Sequence, residues 1–90
     1  MMNLTKQERH ACATDFRKRI EFTSQRAQAV RELSNKENLD EADEVRISIL
    51  FNKPAYTLGC ELEYMTLCQR LANDPRFENR AKTFQSKIKR

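Results

Sequence analysis

Apolar and small side chains in the first third of the chain recur every three or four residues, which is the spacing of one helix face. The residues that share this spacing are Cys12, Phe16, Ile20, Thr23, Ala27 and Val30. Thr5 and Glu8 precede them at the spacing of a capping box. The pattern predicts a long first helix from about Thr5 to Leu33. A break at Thr23 and Ser24 is the alternative, because Ser24 could cap a second helix.

A second helix is expected from about Leu39 to Asn52, after a polar connection. Asn38 and Glu41 have capping spacing, and the acidic residues that follow suit the positive N-terminus of a helix. Residues 45–51 also alternate between apolar and polar side chains, as a strand would. We favour a helix there because a lone strand would have no partner in this chain, but the pattern leaves the strand open.

Pro54 ends the second helix, and a third is predicted from about Leu58 to Ala72 with Thr57 as its cap. It carries two apolar stripes, one of Leu58, Leu62, Met65 and Ala72, the other of Cys60, Tyr64, Leu67 and Leu71. A helix that is apolar on two sides is either central in a bundle or bound to a partner.

A fourth helix is predicted to the end of the chain, with Asp74 as its cap and Pro75 at its first position. Together the segments predict one all-α domain over residues 1–90, a small bundle of about four helices with a long N-terminal helix. An unbroken first helix would be about 43 Å long, whereas the radius of gyration expected for 90 residues is about 12 Å. Such a helix would project from the bundle or be covered by a second copy.

Composition excludes several chemistries. Gly59 is the only glycine, so a glycine-rich phosphate loop cannot be present. Cys60 and Cys68 are about 12 Å apart along one helix and cannot share a metal ion. The only histidine, His10, lies off the apolar face, and neighbouring glutamates disfavour Cys60 as a nucleophile. We therefore expect no catalytic site, no metal, no cofactor and no small-molecule substrate.

The cysteines and the hydropathy pattern also indicate a location. There are three cysteines, none in a closely spaced pair, and neither an apolar leader nor a membrane-spanning apolar run occurs. These features predict a cytoplasmic protein with reduced thiols.

The charge is unevenly distributed along the chain. Residues 1–33 carry a formal charge of +3, residues 34–75 carry −4, and residues 76–90 carry +5. The basic residues of the last helix, Arg76, Arg80 and Lys87, share a narrow sector, with Arg90 nearby. One hypothesis is therefore a basic helical protein that contacts nucleic-acid phosphates through its C-terminal helix.

The leading hypothesis is a non-enzymatic interaction or regulatory protein of the adaptor or inhibitor kind. Its partner would be another protein or a second copy of the chain, as a homodimer. Tyr64, Leu67 and Leu71 have the aromatic and aliphatic make-up of an interface anchor, and we expect them to contact that partner.

Overall fold

Five α-helices and one short 3₁₀ helix make up the computed structural model of the protein, which describes residues 3–88. No strand occurs in that range, and residues 45–51 are helical, so the all-α prediction is confirmed. The 3₁₀ helix spans Pro54–Thr57. The α-helices are α1 (Lys6–Arg19), α2 (Thr23–Asn35), α3 (Glu41–Asn52), α4 (Glu61–Leu71) and α5 (Glu78–Ile88).

The predicted long N-terminal helix is two helices. The chain leaves the helical conformation at Ile20 and is extended at Phe22, so the break lies just before the predicted Thr23 and Ser24. No side chain caps α2; Ser24 does not act as a cap. The buried guanidinium of Arg26 acts at the end of α1 instead, where it donates at 2.8 Å to the carbonyl of Ile20, the residue that caps the C-terminus of that helix.

Two helix starts are set by reciprocal capping. Thr5 and Glu8 form the predicted capping box of α1. The cap of α3 is Asp40 rather than the predicted Asn38: its side chain accepts from the N–H of Asp43, whose carboxylate accepts from the N–H of Asp40.

The other two helices begin three residues later than the sequence indicated. Before α4, Gly59 has a φ of +80°, which a continuous helix from Leu58 would not allow. The hydroxyl of Thr57 donates to the Pro54 carbonyl and caps nothing. Before α5, Asp74 starts a turn rather than the helix itself, since its carbonyl accepts from the N–H groups of residues 77 and 78.

Three helices lie side by side and run in the same direction, with α3 between α1 and α5. Residues at the start of one helix lie near residues at the start of its neighbour, and residues at its end lie near residues at the neighbour's end. The pairs are Arg9 with Glu41 and Arg17 with Asn52 for α1 and α3, and Arg76 with Glu44 and Phe84 with Phe51 for α3 and α5. All three C-termini therefore lie towards one end of the molecule.

The remaining two helices, α2 and α4, form a second parallel pair. The Cys60 thiol at the start of α4 donates to the carbonyl of Thr23 at 3.6 Å. At the other end, the guanidinium of Arg70 donates to the carbonyls of Leu33 and Glu37, which satisfies the C-terminus of α2.

All five helices contribute to one apolar core. Its large and fully or nearly fully buried side chains are Phe16, Ile20, Val30, Leu33, Ile47, Leu50, Tyr64, Leu67, Leu71, Phe77 and Phe84. The radius of gyration is 12.5 Å and the longest dimension is 38 Å. The break after α1 removes the projecting arm that an unbroken first helix would form.

Candidate interaction surfaces

The three residues expected to contact a partner, Tyr64, Leu67 and Leu71, lie in the interior of this chain. None of their side chains has solvent-exposed surface. The ring of Tyr64 stacks on Phe84 of α5, with ring centroids 5.6 Å apart. This corrects the expected surface: α4 is apolar on two sides because α2 and α5 both pack against it. A partner could reach these residues only if the helices packed against α4 moved away.

The hydroxyl of Tyr64 is buried without a hydrogen-bond partner among the described residues. Burial raises the pKa of this phenol well above its ordinary value. The group therefore stays protonated, and an unsatisfied buried polar group of this kind costs about 1–3 kcal/mol of stability.

Arg76, the first residue of the predicted basic row, is held by acidic neighbours. Its guanidinium pairs with Asp74 at 3.0 Å and Glu44 at 3.7 Å, and it donates to the Leu39 carbonyl at 3.0 Å. The hydrogen bonds from Arg76 lower the pKa of Asp74. Arg76 thus fastens the turn before α5 to α3, and its charge is largely balanced. Arg90, at the other end of the predicted row, lies outside the described residues.

Arg80 and Lys87 do form a basic surface, together with a residue from the opposite end of the chain. Arg80 lines two grooves, one between α3 and α5 that also contains Lys87, and one between α1, α3 and α5 that contains Arg17. We call the combined surface the α1–α3–α5 groove. Its polar lining residues are Arg17, Ser48, Asn52, Asn79, Arg80, Thr83 and Lys87, with no carboxylate among them.

Three large apolar side chains project into solvent where α2 and α4 begin. Phe22 is 64%, Leu58 68% and Leu62 81% exposed. The segments that carry them touch, because a Cβ atom on Gly59 would lie only 2.8 Å from the methyl carbon of Thr23. We call these three exposed residues, Phe22, Leu58 and Leu62, the apolar edge cluster. Leu62 also lines a recess with Arg31 and Ser34 of α2.

Arg26 holds the two segments of the apolar edge cluster together. Its guanidinium is 8% exposed and donates to the carbonyls of Ile20, Glu21, Tyr56 and Leu58, at distances between 2.8 and 3.4 Å. It also lies 5.5 Å from the centre of the Tyr56 ring. Every hydrogen bond of this cation goes to a backbone carbonyl, so it fixes the backbone on both sides of the cluster.

Acidic side chains border the apolar edge cluster. Glu21 is exposed next to Phe22. Glu61, beside Leu62, is exposed and accepts from the N–H of Gly59 at 3.0 Å. Beside Leu62, Arg31 pairs with Glu63 at 3.5 Å. A surface that binds here should therefore be apolar at its centre and basic where it meets Glu21 and Glu61.

The thiols of Cys60 and Cys68 lie in the core. Burial raises the pKa of the Cys60 thiol, and raises that of Cys68 to about 11, so neither is an active nucleophile. His10 is on the surface. Within residues 3–88, no group of three or more histidine, cysteine or acidic side chains could hold a metal ion. No helix in this range is long and apolar enough to cross a membrane.

A recess of about 430 Å³ lies between α1, α2 and α3. Its charged side chains pair with one another: Arg19 with Glu32 at 3.0 Å, and Asp43 with both Lys36 at 2.6 Å and Arg46 at 2.7 Å. These pairs close the network internally and leave no charge aimed at a ligand.

No family model, curated protein or solved structure matches this chain.

Sequence reasoning missed the apolar edge cluster and Arg17. Leu58 and Leu62 belong to the first of the two stripes of the third predicted helix, and the pattern could not show which stripe faces outward. Phe22 lies off the apolar face of the first predicted helix, and this position could have indicated that its side chain is exposed. Arg17 was one of several basic residues spread around that helix, and only the packing of α1 beside α3 places it near Arg80.

Proposed function

We propose that this chain is a non-enzymatic binding protein, of the adaptor or inhibitor kind, that docks onto a different protein through its apolar edge cluster. The observation that carries the proposal is the exposure of Phe22, Leu58 and Leu62 in contacting segments of a small fold. Burying one such side chain contributes about 1.5–3 kcal/mol. Clustered large apolar groups with a polar border are typical of a protein interface.

The cluster is preorganised for binding. Arg26 fixes the backbone of both segments before any partner arrives, because it donates to the carbonyls of Glu21 and Leu58. Less conformational entropy is then lost on docking, which favours affinity for a given contact area.

The charges around the cluster favour a different protein over a second copy. In a two-fold symmetric dimer through this surface, Glu21 and Glu61 of one copy would approach the same residues of the other. Like charges at an interface are unfavourable. We therefore expect a partner with an apolar recess and a basic border. The three unpaired thiols, two of them buried, support a cytoplasmic location.

A substitution experiment tests this proposal. The variant carries Phe22→Ser, Leu58→Ser and Leu62→Ser, and a control carries Gln28→Ser and Gln69→Ser on exposed positions of the same two helices. Tagged versions are expressed in the cell that makes the protein, after circular dichroism confirms that both fold. We expect one protein to copurify with the wild type and the control, to be lost from the variant, and to bind again when purified alone.

Two outcomes would overturn the proposal. The variant could retain every protein that the wild type retains. Alternatively, light scattering after gel filtration could give twice the chain mass for the wild type and one chain mass for the variant, which would show that a second copy covers the cluster.

A further inference from the structure

We infer that the α1–α3–α5 groove is a second binding surface, and that it binds the phosphate backbone of a nucleic-acid duplex. The inference does not depend on the protein partner proposed above, because the two surfaces share no residue. It rests on three cations that converge from two ends of the chain: Arg17 on α1, and Arg80 and Lys87 on α5.

These three cations are available to an anionic ligand. None of them forms an ion pair within residues 3–88. The side chain of Arg80 donates one hydrogen bond, to the hydroxyl of Ser48 at 2.8 Å, which leaves its other donors free. The three side chains are exposed, so their charges can meet a phosphate without first breaking an internal pair.

The negative C-terminal ends of the helices do not cancel the positive charge of the nearby cations. The parallel C-termini of α1, α3 and α5 each contribute roughly half a negative charge, or about −1.5 in total. Arg17, Lys18, Lys53 and Lys87 lie in or just after the last turns of these helices. Of these four cations, Arg17 and Lys87 line the groove. The four charges together exceed the dipole contribution at this end of the three helices.

The neutral part of the lining favours phosphate over an acidic peptide. Ser48, Asn52, Asn79 and Thr83 offer hydroxyl and amide donors, which accompany arginine and lysine in contacts to nucleic-acid backbones. A peptide anchored by apolar side chains would need an open apolar floor. Most of the apolar lining is closed, since Phe51 is only 8% and Phe84 only 2% exposed. In the α1–α3 part of the groove, Ile49 is buried and the small or short side chains of Ala13 and Val45 are half-buried.

The burial of Phe51 and Phe84 also favours a duplex over a single strand as the ligand. Unpaired bases are usually held by stacking on exposed aromatic rings. The rings of Phe51 and Phe84 are stacked on each other, with centroids 4.8 Å apart, and present almost no face to solvent. We therefore expect binding that depends on charge and backbone geometry and has little sequence preference.

The test is fluorescence anisotropy with a labelled 24-base-pair DNA duplex and with one of its strands alone, across a salt series. The variant carries Arg17→Ala, Arg80→Ala and Lys87→Ala. The control carries Lys6→Ala, Arg31→Ala and Lys82→Ala. It also removes three positive charges, but all of them lie outside the groove. Arg31 and Lys82 are ion-paired with Glu63 and Glu78. Circular dichroism melts establish that all three proteins fold.

We expect the wild type to bind the duplex more tightly than the single strand, with affinity falling steeply as salt increases. The groove variant should lose about tenfold or more at low salt, and its salt slope should decrease by about 0.9 for each lost phosphate contact. The control should stay within about threefold of the wild type. Equal losses in the two variants, or no duplex binding at low salt, would overturn the inference. Displacement of the duplex by a glutamate-rich peptide that binds more tightly would also overturn it, in favour of an acidic protein ligand.

Discussion

The guanidinium of Arg26 lies over the ring of Tyr56, 5.5 Å from its centre, and donates a hydrogen bond to the carbonyl of the same residue at 3.1 Å. Arg26 and Tyr56 are 30 residues apart in the chain. Because Arg26 also donates to the carbonyls of Ile20 and Glu21, it joins the turn after α1 to the segment before α4. Both segments carry the apolar edge cluster. Arg26 therefore links the stability of the fold to the shape of the proposed binding surface.

Replacing Arg26 should destabilise the protein strongly. Arg26→Ala leaves up to four carbonyls without their donor, and we expect the free energy of unfolding to fall by about 2–4 kcal/mol. Arg26→Lys keeps the charge but not the planar fork, so it should recover only part of the loss. Urea denaturation followed by circular dichroism measures both. Arg31→Ala, which removes an exposed ion pair with Glu63, should change stability by less than about 1 kcal/mol. Similar effects of Arg26→Ala and Arg31→Ala would contradict this account.

Removing the hydroxyl of Tyr64 should not destabilise the protein. Because that hydroxyl has no partner, Tyr64→Phe should leave the free energy of unfolding unchanged or raise it by about 1 kcal/mol. Tyr64→Ala should lower it by about 3–5 kcal/mol, since it opens a cavity against Phe84. Thermal and urea unfolding of the two variants provide the comparison. A large loss in Tyr64→Phe would mean that the hydroxyl is hydrogen-bonded.

Replacing Gly59 by a residue with a side chain should lower the free energy of unfolding for two separable reasons. Gly59→Ala must adopt a φ of +80°, which costs about 1–2 kcal/mol, and its Cβ would meet the methyl group of Thr23 at 2.8 Å. In the background of Thr23→Ser, which lacks that methyl group, the same substitution should cost only the conformational part. A double-mutant cycle from urea unfolding measures the difference. Equal costs in both backgrounds would exclude the close contact.

Stability should decrease in acid, in part through Asp74. The hydrogen bonds from Arg76 lower the pKa of Asp74 in the folded chain, so the unfolded chain binds the proton more readily. The resulting stabilisation is fully present above the unfolded pKa of about 4 and is lost as pH falls through the folded value. Asp74→Asn should be less stable than the wild type at pH 7 and indistinguishable from it near about pH 2.

The control for this pH dependence is Asp15→Asn, at an exposed aspartate that forms no ion pair within residues 3–88. Unfolding free energies from pH 7 to pH 2 should show a pH-dependent difference for Asp74→Asn alone. The same profile in both variants would show that general charge repulsion, and not the pair with Arg76, causes the acid sensitivity.

Local signals in the sequence predicted most of the helices, whereas the break after α1 involves contacts between distant parts of the chain. The capping box of Thr5 and Glu8 needs only neighbouring residues, and it was predicted correctly. The break after α1 depends on Arg26 contacting carbonyls on a distant segment, which no periodicity reveals. A three- or four-residue spacing identifies an apolar face, but not what covers it.

The same limit applies to the candidate surfaces. Tyr64, Leu67 and Leu71 match an interface anchor in composition, yet they are buried in a helix that packs against both α2 and α5. The basic row on α5 was predicted from helix geometry alone, and the acidic neighbours that hold Arg76 come from α3 and the preceding turn. Arg17 approaches Arg80 only because α1 and α3 are parallel.

The most direct test of the proposed partner surface is site-specific photo-crosslinking in the cell that makes the protein. A photoreactive phenylalanine derivative is placed at Leu58 or Leu62 in the apolar edge cluster, at Leu67 in the core, or at the exposed Gln28 as a control. We predict a discrete crosslinked product with one other protein from positions 58 and 62, and none from positions 28 and 67. Crosslinks from position 67 in a folded chain, with none from the apolar edge cluster, would contradict the account and return the interface to the buried stripe of α4.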